Sequence, residues 1–174
     1  MFDATDGLSR TITAQAIATN QTFPFVTIDN FEVYARDARI ACQAESFAYT
    51  ARVKAQDIMA FNEYSITHSN WVKKSQALTN ALENENKVYD ELTILPFIYD
   101  TTYDINTGEQ TIVPTRTNAE VLWQTSPVID NGFLLMSNLV SLNVENSTNI
   151  YGMVDHTNGK GYFSWLPLLP EGTL

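Results

Sequence analysis

The side chains that most often carry chemistry are scarce in this chain. Histidine occurs only as His68 and His156, and Cys42 is the single cysteine. A histidine-centred metal or acid–base site would need His68 and His156 to converge from different halves of the sequence, so solvent-facing or capping roles are the ordinary reading of both. Cys42 falls on the apolar side of a helical pattern, where a thiol is buried and inert. A lone cysteine also excludes an internal disulfide and a cysteine-based metal cluster. The run Asp104-Ile-Asn-Thr-Gly108-Glu109 starts like a calcium loop, but its glycine comes one place early and the twelfth position is Thr115 rather than a bidentate Glu. A hairpin turn explains that run better. Glycine-rich phosphate loops, G-x-S-x-G elbows and H-E-x-x-H pairs are absent from the sequence. The sequence therefore assigns no catalytic residue, no metal ligand and no cofactor.

What remains is binding chemistry. Tyr49, Tyr64, Trp71, Tyr99, Trp123 and Trp165 are the aromatic side chains from which a sheet-lined pocket could be built, with Arg52, Gln124 and Ser126 as polar companions. Arg52, Tyr99, Trp123 and Gln124 form the candidate ligand-binding set, for a small molecule or a peptide of unknown identity.

Composition narrows the partners. A chain of 174 residues with 44% apolar and 17% charged side chains suits one domain, or one domain with a short extension, and can bury a sizeable core. The net charge of −10 argues against nucleic acid, which requires clustered Lys and Arg. Residues 1–87 carry 8 basic and 10 acidic groups, whereas residues 88–174 carry only Arg116 and Lys160 against 10 acids. The second half would repel anionic ligands and anionic lipid at long range. No run of about eighteen apolar residues exists to span a bilayer. No basic, cleavable leader precedes the first residues, so any targeting segment of a secreted or membrane-bound protein is expected outside this chain. The sequons at Asn20 and Asn146 permit glycosylation without arguing for it.

The elements that must position these residues follow from periodicity. Asp6 to Thr19 places Leu8, Ile12 and Ala16 on one narrow stripe, which predicts a weakly packed, stalk-like helix in need of a partner. Pro24 breaks the pattern and biases Phe23 toward extended backbone. Asp29 then fits an N-cap, Glu32 the capping-box position, and Ile28 with Val33 a hydrophobic staple. The helix that follows carries Phe31, Tyr34, Ala35, Ala38 and Cys42 on one face and Glu32, Arg36, Asp37 and Arg39 on the other. Phe47 to Val53 alternates with period two and reads as a half-buried strand. Helical spacing returns with Ile58, Phe61 and Tyr64, then with Trp71, Val72, Leu78 and Leu82 behind a Ser69 or Asn70 cap. The polar tail Glu83 to Asp90 ends this region.

Phe97–Tyr99 and Thr111–Val113 flank the Asp104–Gly108 turn as a hairpin. Val121–Gln124 is a short apolar run, Phe133–Leu142 a buried helix or strand, and Asn149–Asp155 with Gly161–Leu166 a strand pair. Helices first and strands later favour an α+β fold with an antiparallel sheet.

The succession PFVTIDNFEVYARDAR (Pro24–Arg39), SFAYTARV (Ser46–Val53), FNEYS (Phe61–Ser65), NWVKKS (Asn70–Ser75) and LWQTSP (Leu122–Pro127) resembles the extracellular sensor region of diatom receptor-type nucleotide cyclases. More distantly it resembles CHASE-type sensors. The resemblance implies amino-terminal helices followed by a PAS-like antiparallel sheet with flanking helices. It further implies an ectodomain outside the plasma membrane, tethered by flanking segments, with a cytoplasmic cyclase domain elsewhere in the protein. No binding residue carries over from the family.

On this reading residues 1–45 form a helical stalk and 46–174 the sensor core. The fragment is not itself an enzyme, and a homodimer forms through the amino-terminal helix. A small soluble α+β enzyme and a structural or adhesive ectodomain are the alternatives.

Overall fold

The computed structural model describes residues 2–44, 46–83, 94–103, 110–128 and 135–139. The expected Asp104–Gly108 turn, the tail after Glu83, the strand pair at 149–166, Asn146, His156 and Trp165 lie outside the described residues. So does half of the Phe133–Leu142 run, residues 133–134 and 140–142.

Helix α1 (Phe2–Ala18) forms as its periodicity predicts, and Leu8, Ile12 and Ala16 are buried. Their cover is α2 (Phe31–Cys42) of the same chain. The stripe thus has an internal partner, and it no longer supplies a reason for a homodimer. Both helices end in the same way. Asn20 and Gln43 adopt left-handed backbone, with φ 54° and 58°. The paired bonds Gln21 N–H to Ala16 O and Asn20 N–H to Ile17 O close α1, and Ala44 N–H to Arg39 O with Gln43 N–H to Ile40 O close α2. These are Schellman closures made without glycine.

The start of α2 differs from the expected capping box. Asn30 precedes the helix in left-handed backbone (φ 57°), and its side chain makes no cap bond. Asp29 instead faces Lys74 at 3.2 Å, and Glu32 is fully buried rather than on a polar face. The reason is packing. Helix α2 contacts α1, α4 and two strands, so its covered sector is wider than one stripe, while Tyr34 lies toward solvent.

Strand β1 (Phe47–Val53) alternates as predicted, with Tyr49, Ala51 and Val53 buried and Arg52 exposed. It pairs antiparallel with β4 (Ala119–Ser126). The register steps from Tyr49↔Gln124 to Thr50↔Leu122, which leaves Trp123 as the extra residue of a bulge. Strands β2 (Tyr99–Tyr103) and β3 (Gln110–Pro114) pair antiparallel; the second arm lies where expected, whereas the first starts at Tyr99 instead of spanning Phe97–Tyr99. Residues 136–138 join the two pairs. Leu122 exchanges backbone bonds with Met136 and Ser137 at 3.0 and 3.1 Å, and Tyr99 does so with Met136 and Asn138 at 3.1 and 2.8 Å. The strand order is thus β1, β4, the 136–138 segment, β2, β3. Because β4 is covered on both faces, Leu122 to Ser126 are all buried and alternation disappears there.

Helices α3 (Ile58–His68) and α4 (Trp71–Glu83) are separated only by Ser69 and Asn70. The stripe predicted for α4 is partly wrong. Trp71 and Val72 are buried, but the next inward positions are Ser75 and Thr79, while Leu82 is exposed. Small side chains let α4 approach α2, and the Thr79 hydroxyl is satisfied by the Ser75 carbonyl at 3.0 Å.

With four α-helices and antiparallel strand pairs among the described residues, the fold is α+β. Leu8, Phe31, Tyr49, Phe61 and Trp123 belong to one continuous core, so packing runs across the expected boundary at residue 45. Among the described residues, no helix is long and apolar enough to cross a membrane.

Candidate functional site

The segment between α1 and α2 runs along the ends of α3 and α4, and glutamine amides hold it in place. Gln21 accepts the Thr27 N–H at 2.8 Å and donates to the Thr27 carbonyl at 3.2 Å. Gln124, on β4, accepts the Ile28 N–H at 2.8 Å and donates to the Ile28 carbonyl at 3.1 Å. Consecutive residues of an irregular segment thereby receive the double pairing that a strand would have supplied. The preceding turn brings Thr22 against Phe25 and includes a cis Phe23–Pro24 bond.

This pinned segment forms one wall of a cleft of about 380 Å³. Gln21, Thr27 and Asp29 come from the segment, Tyr64, Thr67 and His68 from the last turns of α3, and Asn70, Trp71 and Lys74 from the start of α4. Helical spacing explains the second group, since positions i, i+3 and i+4 share a face. The volume lies in the range of small-molecule sites.

Tyr64 is the hinge of the arrangement. Its ring stacks on His68 at 4.0 Å and meets Phe25 edge-on at 5.7 Å. Its hydroxyl lies 2.7 Å from the Thr27 hydroxyl, which also accepts the Trp123 indole N–H at 3.1 Å. Burial raises the Tyr64 pKa, and the bond with Thr27 pulls it part of the way back. His68 Nδ1 lies 2.9 Å from the Tyr64 carbonyl. A carbonyl only accepts, so Nδ1 carries the hydrogen of that bond. Across the cleft, Lys74 Nζ approaches Asp29 Oδ1 at 3.2 Å with both side chains more than half exposed. Trp71 is buried, and among the described residues its indole N–H has no hydrogen-bond partner.

The residues singled out from the sequence fall in different places. Trp123 is fully buried directly behind the cleft and touches it through Thr27. Gln124 is fully buried and acts on Ile28, one residue further along the same segment. Tyr99 is buried at the junction of β2 with residues 136–138, where burial pushes its hydroxyl up to about 12. Arg52 is exposed on β1 opposite Glu120, apart from the cleft. Ser126 is buried, and Cys42 is half-buried with its thiol toward the Arg39 carbonyl.

Of the four candidate residues only Trp123 and Gln124 support the cleft, and none of the four lines it. Tyr64 and Trp71 were visible as aromatics, and Tyr64, His68 and Trp71 do recur at i, i+4 and i+7. Nothing in the spacing announces that Gln21, Asp29 and Lys74 join them.

Among the described residues, no group of three or more His, Cys, Asp or Glu is placed to hold a metal ion. The lining offers an ion pair, hydroxyls, amides and aromatic faces, which are groups that recognise a molecule. Comparisons with protein-family models, with curated proteins and with solved structures found no match.

Proposed function

We propose that this chain is the extracellular ligand-sensing domain of a membrane receptor, of the kind attached to a nucleotide cyclase. In that reading a small molecule occupies the Tyr64–Lys74 cleft, and a PAS-like sheet with flanking helices supports it. The receptor part of the proposal rests on the resemblance carried by Pro24–Arg39, Ser46–Val53 and the later motifs. The sensing part rests on the bond between Tyr64 and Thr27. It ties the ligand-facing wall of α3 to the segment that leaves α1, and Gln21, one residue beyond the turn that ends α1, grips the same Thr27. A ligand that favours one placement of Tyr64 shifts the population of placements of that segment, and with it the direction in which α1 emerges.

The test is a thermal-shift screen of small metabolites, because a ligand selective for the folded state raises Tm. At least one compound should raise the Tm of the parent chain, and replacing the exposed, cleft-lining His68 by Ala should reduce that rise. A screen in which nothing shifts Tm, or in which the shift is unchanged by His68→Ala, contradicts the proposal.

A further inference from the structure

Where α1 gives way to the segment that leads to α2, Asn20 and Thr22 are both exposed, and Gln21 between them is half-buried. Gln21 turns its amide inward, accepting the Thr27 N–H at 2.8 Å and donating to the Thr27 carbonyl at 3.2 Å. Among the described residues, neither the Asn20 carboxamide nor the Thr22 hydroxyl makes a hydrogen bond. The middle residue thus anchors the segment, and the outer two are left to solvent. Asn-x-Thr with x other than proline is the acceptor pattern for N-linked glycans, and Asn20-Gln21-Thr22 meets it.

The backbone accounts for only one of these two residues. Asn20 closes α1 at φ 54°, in the left-handed region that asparagine tolerates better than most side chains. Helix closure alone therefore explains an asparagine here. It does not explain Thr22. Asn30, also left-handed at φ 57° and exposed, is followed by Phe31 and Glu32, with no hydroxyl two places on. The neighbouring threonines are both engaged, Thr19 with the Gln15 carbonyl and Thr27 with the Tyr64 hydroxyl. Thr22 is the threonine of this stretch whose hydroxyl is unused, and it stands where an acceptor site requires one.

The surroundings suit a sugar. Ile17, whose carbonyl accepts the Asn20 N–H at 3.1 Å, is 62% exposed. The turn that Asn20 closes therefore presents a large apolar side chain, which the apolar face of a pyranose ring can take out of water.

We infer that Asn20 is an N-glycosylation site, with its carboxamide carrying an oligosaccharide at the end of α1. In the transfer, Asn20 Nδ2 bonds to the anomeric carbon of a lipid-linked oligosaccharide pyrophosphate. The bond from that carbon to the pyrophosphate oxygen breaks, the pyrophosphate leaves with the electron pair, and Nδ2 releases one proton. The inference rests on the proposed extracellular location, because such acceptor sites are used in proteins that enter the secretory pathway.

The test has two arms. In the first, the intact chain is placed behind a cleavable secretion leader, produced in eukaryotic cells and analysed by peptide mass spectrometry. Most secreted molecules should carry a glycan on Asn20 that an N-glycan amidase removes. Asn20→Gln and Thr22→Val should each abolish that glycan, and Thr22→Ser, which keeps the hydroxyl, should retain it. A secreted chain with Asn20 bare overturns the inference, and a glycan on Asn146 in the same sample leaves the extracellular location standing. In the second arm, the native protein is isolated from the cells that make it and analysed in the same way. A glycan on Asn20 there supports both the site and the location. A native protein bare at Asn20 and Asn146, with Asn20 occupied in the leader-driven chain, overturns the extracellular location and the inference with it.

Discussion

The side-chain amide of Gln124 accepts the Ile28 N–H at 2.8 Å and donates to the Ile28 carbonyl at 3.1 Å, so a central strand holds the irregular segment that enters α2. Both residues are buried, with Gln124 fully enclosed. Replacing Gln124 by Leu should leave two buried backbone groups unpaired and cost about 2–4 kcal/mol, judged from the usual penalty for unsatisfied buried groups. Urea denaturation of the variant measures this directly. A loss below about 0.5 kcal/mol would mean that the segment is held by other contacts.

Tyr49 shows the opposite balance. Its hydroxyl is buried and has no hydrogen-bond partner among the described residues, and its pKa is raised first by burial and then by the neighbouring Tyr64. Tyr49→Phe removes that unpaired hydroxyl and keeps the ring that meets Phe23 edge-on at 6.5 Å. The variant should be as stable as the parent or more stable, by up to about 1 kcal/mol. Its Tm reports the sign.

Thr27 serves two side chains at once, Tyr64 at 2.7 Å and Trp123 at 3.1 Å. Thr27→Val keeps the shape and removes the oxygen, so the indole N–H loses its acceptor. The expected loss is about 1–3 kcal/mol, and Thr27→Ser should restore most of it. A loss in the Ser variant with little or none in the Val variant would point to the methyl group rather than the hydroxyl.

Alkaline pH should unfold the protein through its tyrosines. Burial raises the Tyr99 pKa from 10.0 to about 12, and Tyr49 and Tyr64 shift in the same direction. Between those values the folded Tyr99 keeps a proton that the unfolded chain has released. Stability is therefore fully present below about pH 10 and falls as pH rises toward about 12. Tyr99→Phe should flatten the decline over that window by at most about 1.4 kcal/mol per pH unit. Denaturant midpoints collected across the window test this, and an unchanged slope in the variant would contradict the assignment to Tyr99.

Much of the architecture was legible because its periodicity is local. The stripe of Leu8, Ile12 and Ala16, the alternation of β1 and the aromatic spacing of α3 each need only a short window. Three readings failed for tertiary reasons. The cap at Asp29 gave way because α2 packs against α1, α4 and two strands, which buries Glu32 and leaves Asp29 to Lys74. The α4 stripe was misplaced because close packing on α2 selects Ser75 and Thr79 over leucines. Gln124 and Trp123 were read as pocket residues, and they stand one contact behind the cleft because β4 is buried on both faces. The cleft itself was hidden, since Asp29 and Lys74 are ordinary surface residues until the fold sets them 3.2 Å apart.

Coupling between the cleft and the segment that follows α1 is tested most directly by amide hydrogen exchange across residues 19–30. The compound that raises Tm most in the metabolite screen is the one to add. Slower exchange is expected at the Val26, Thr27 and Ile28 amides when that compound is bound. Faster or unchanged exchange there, with protection confined to β2 and β3, would contradict it.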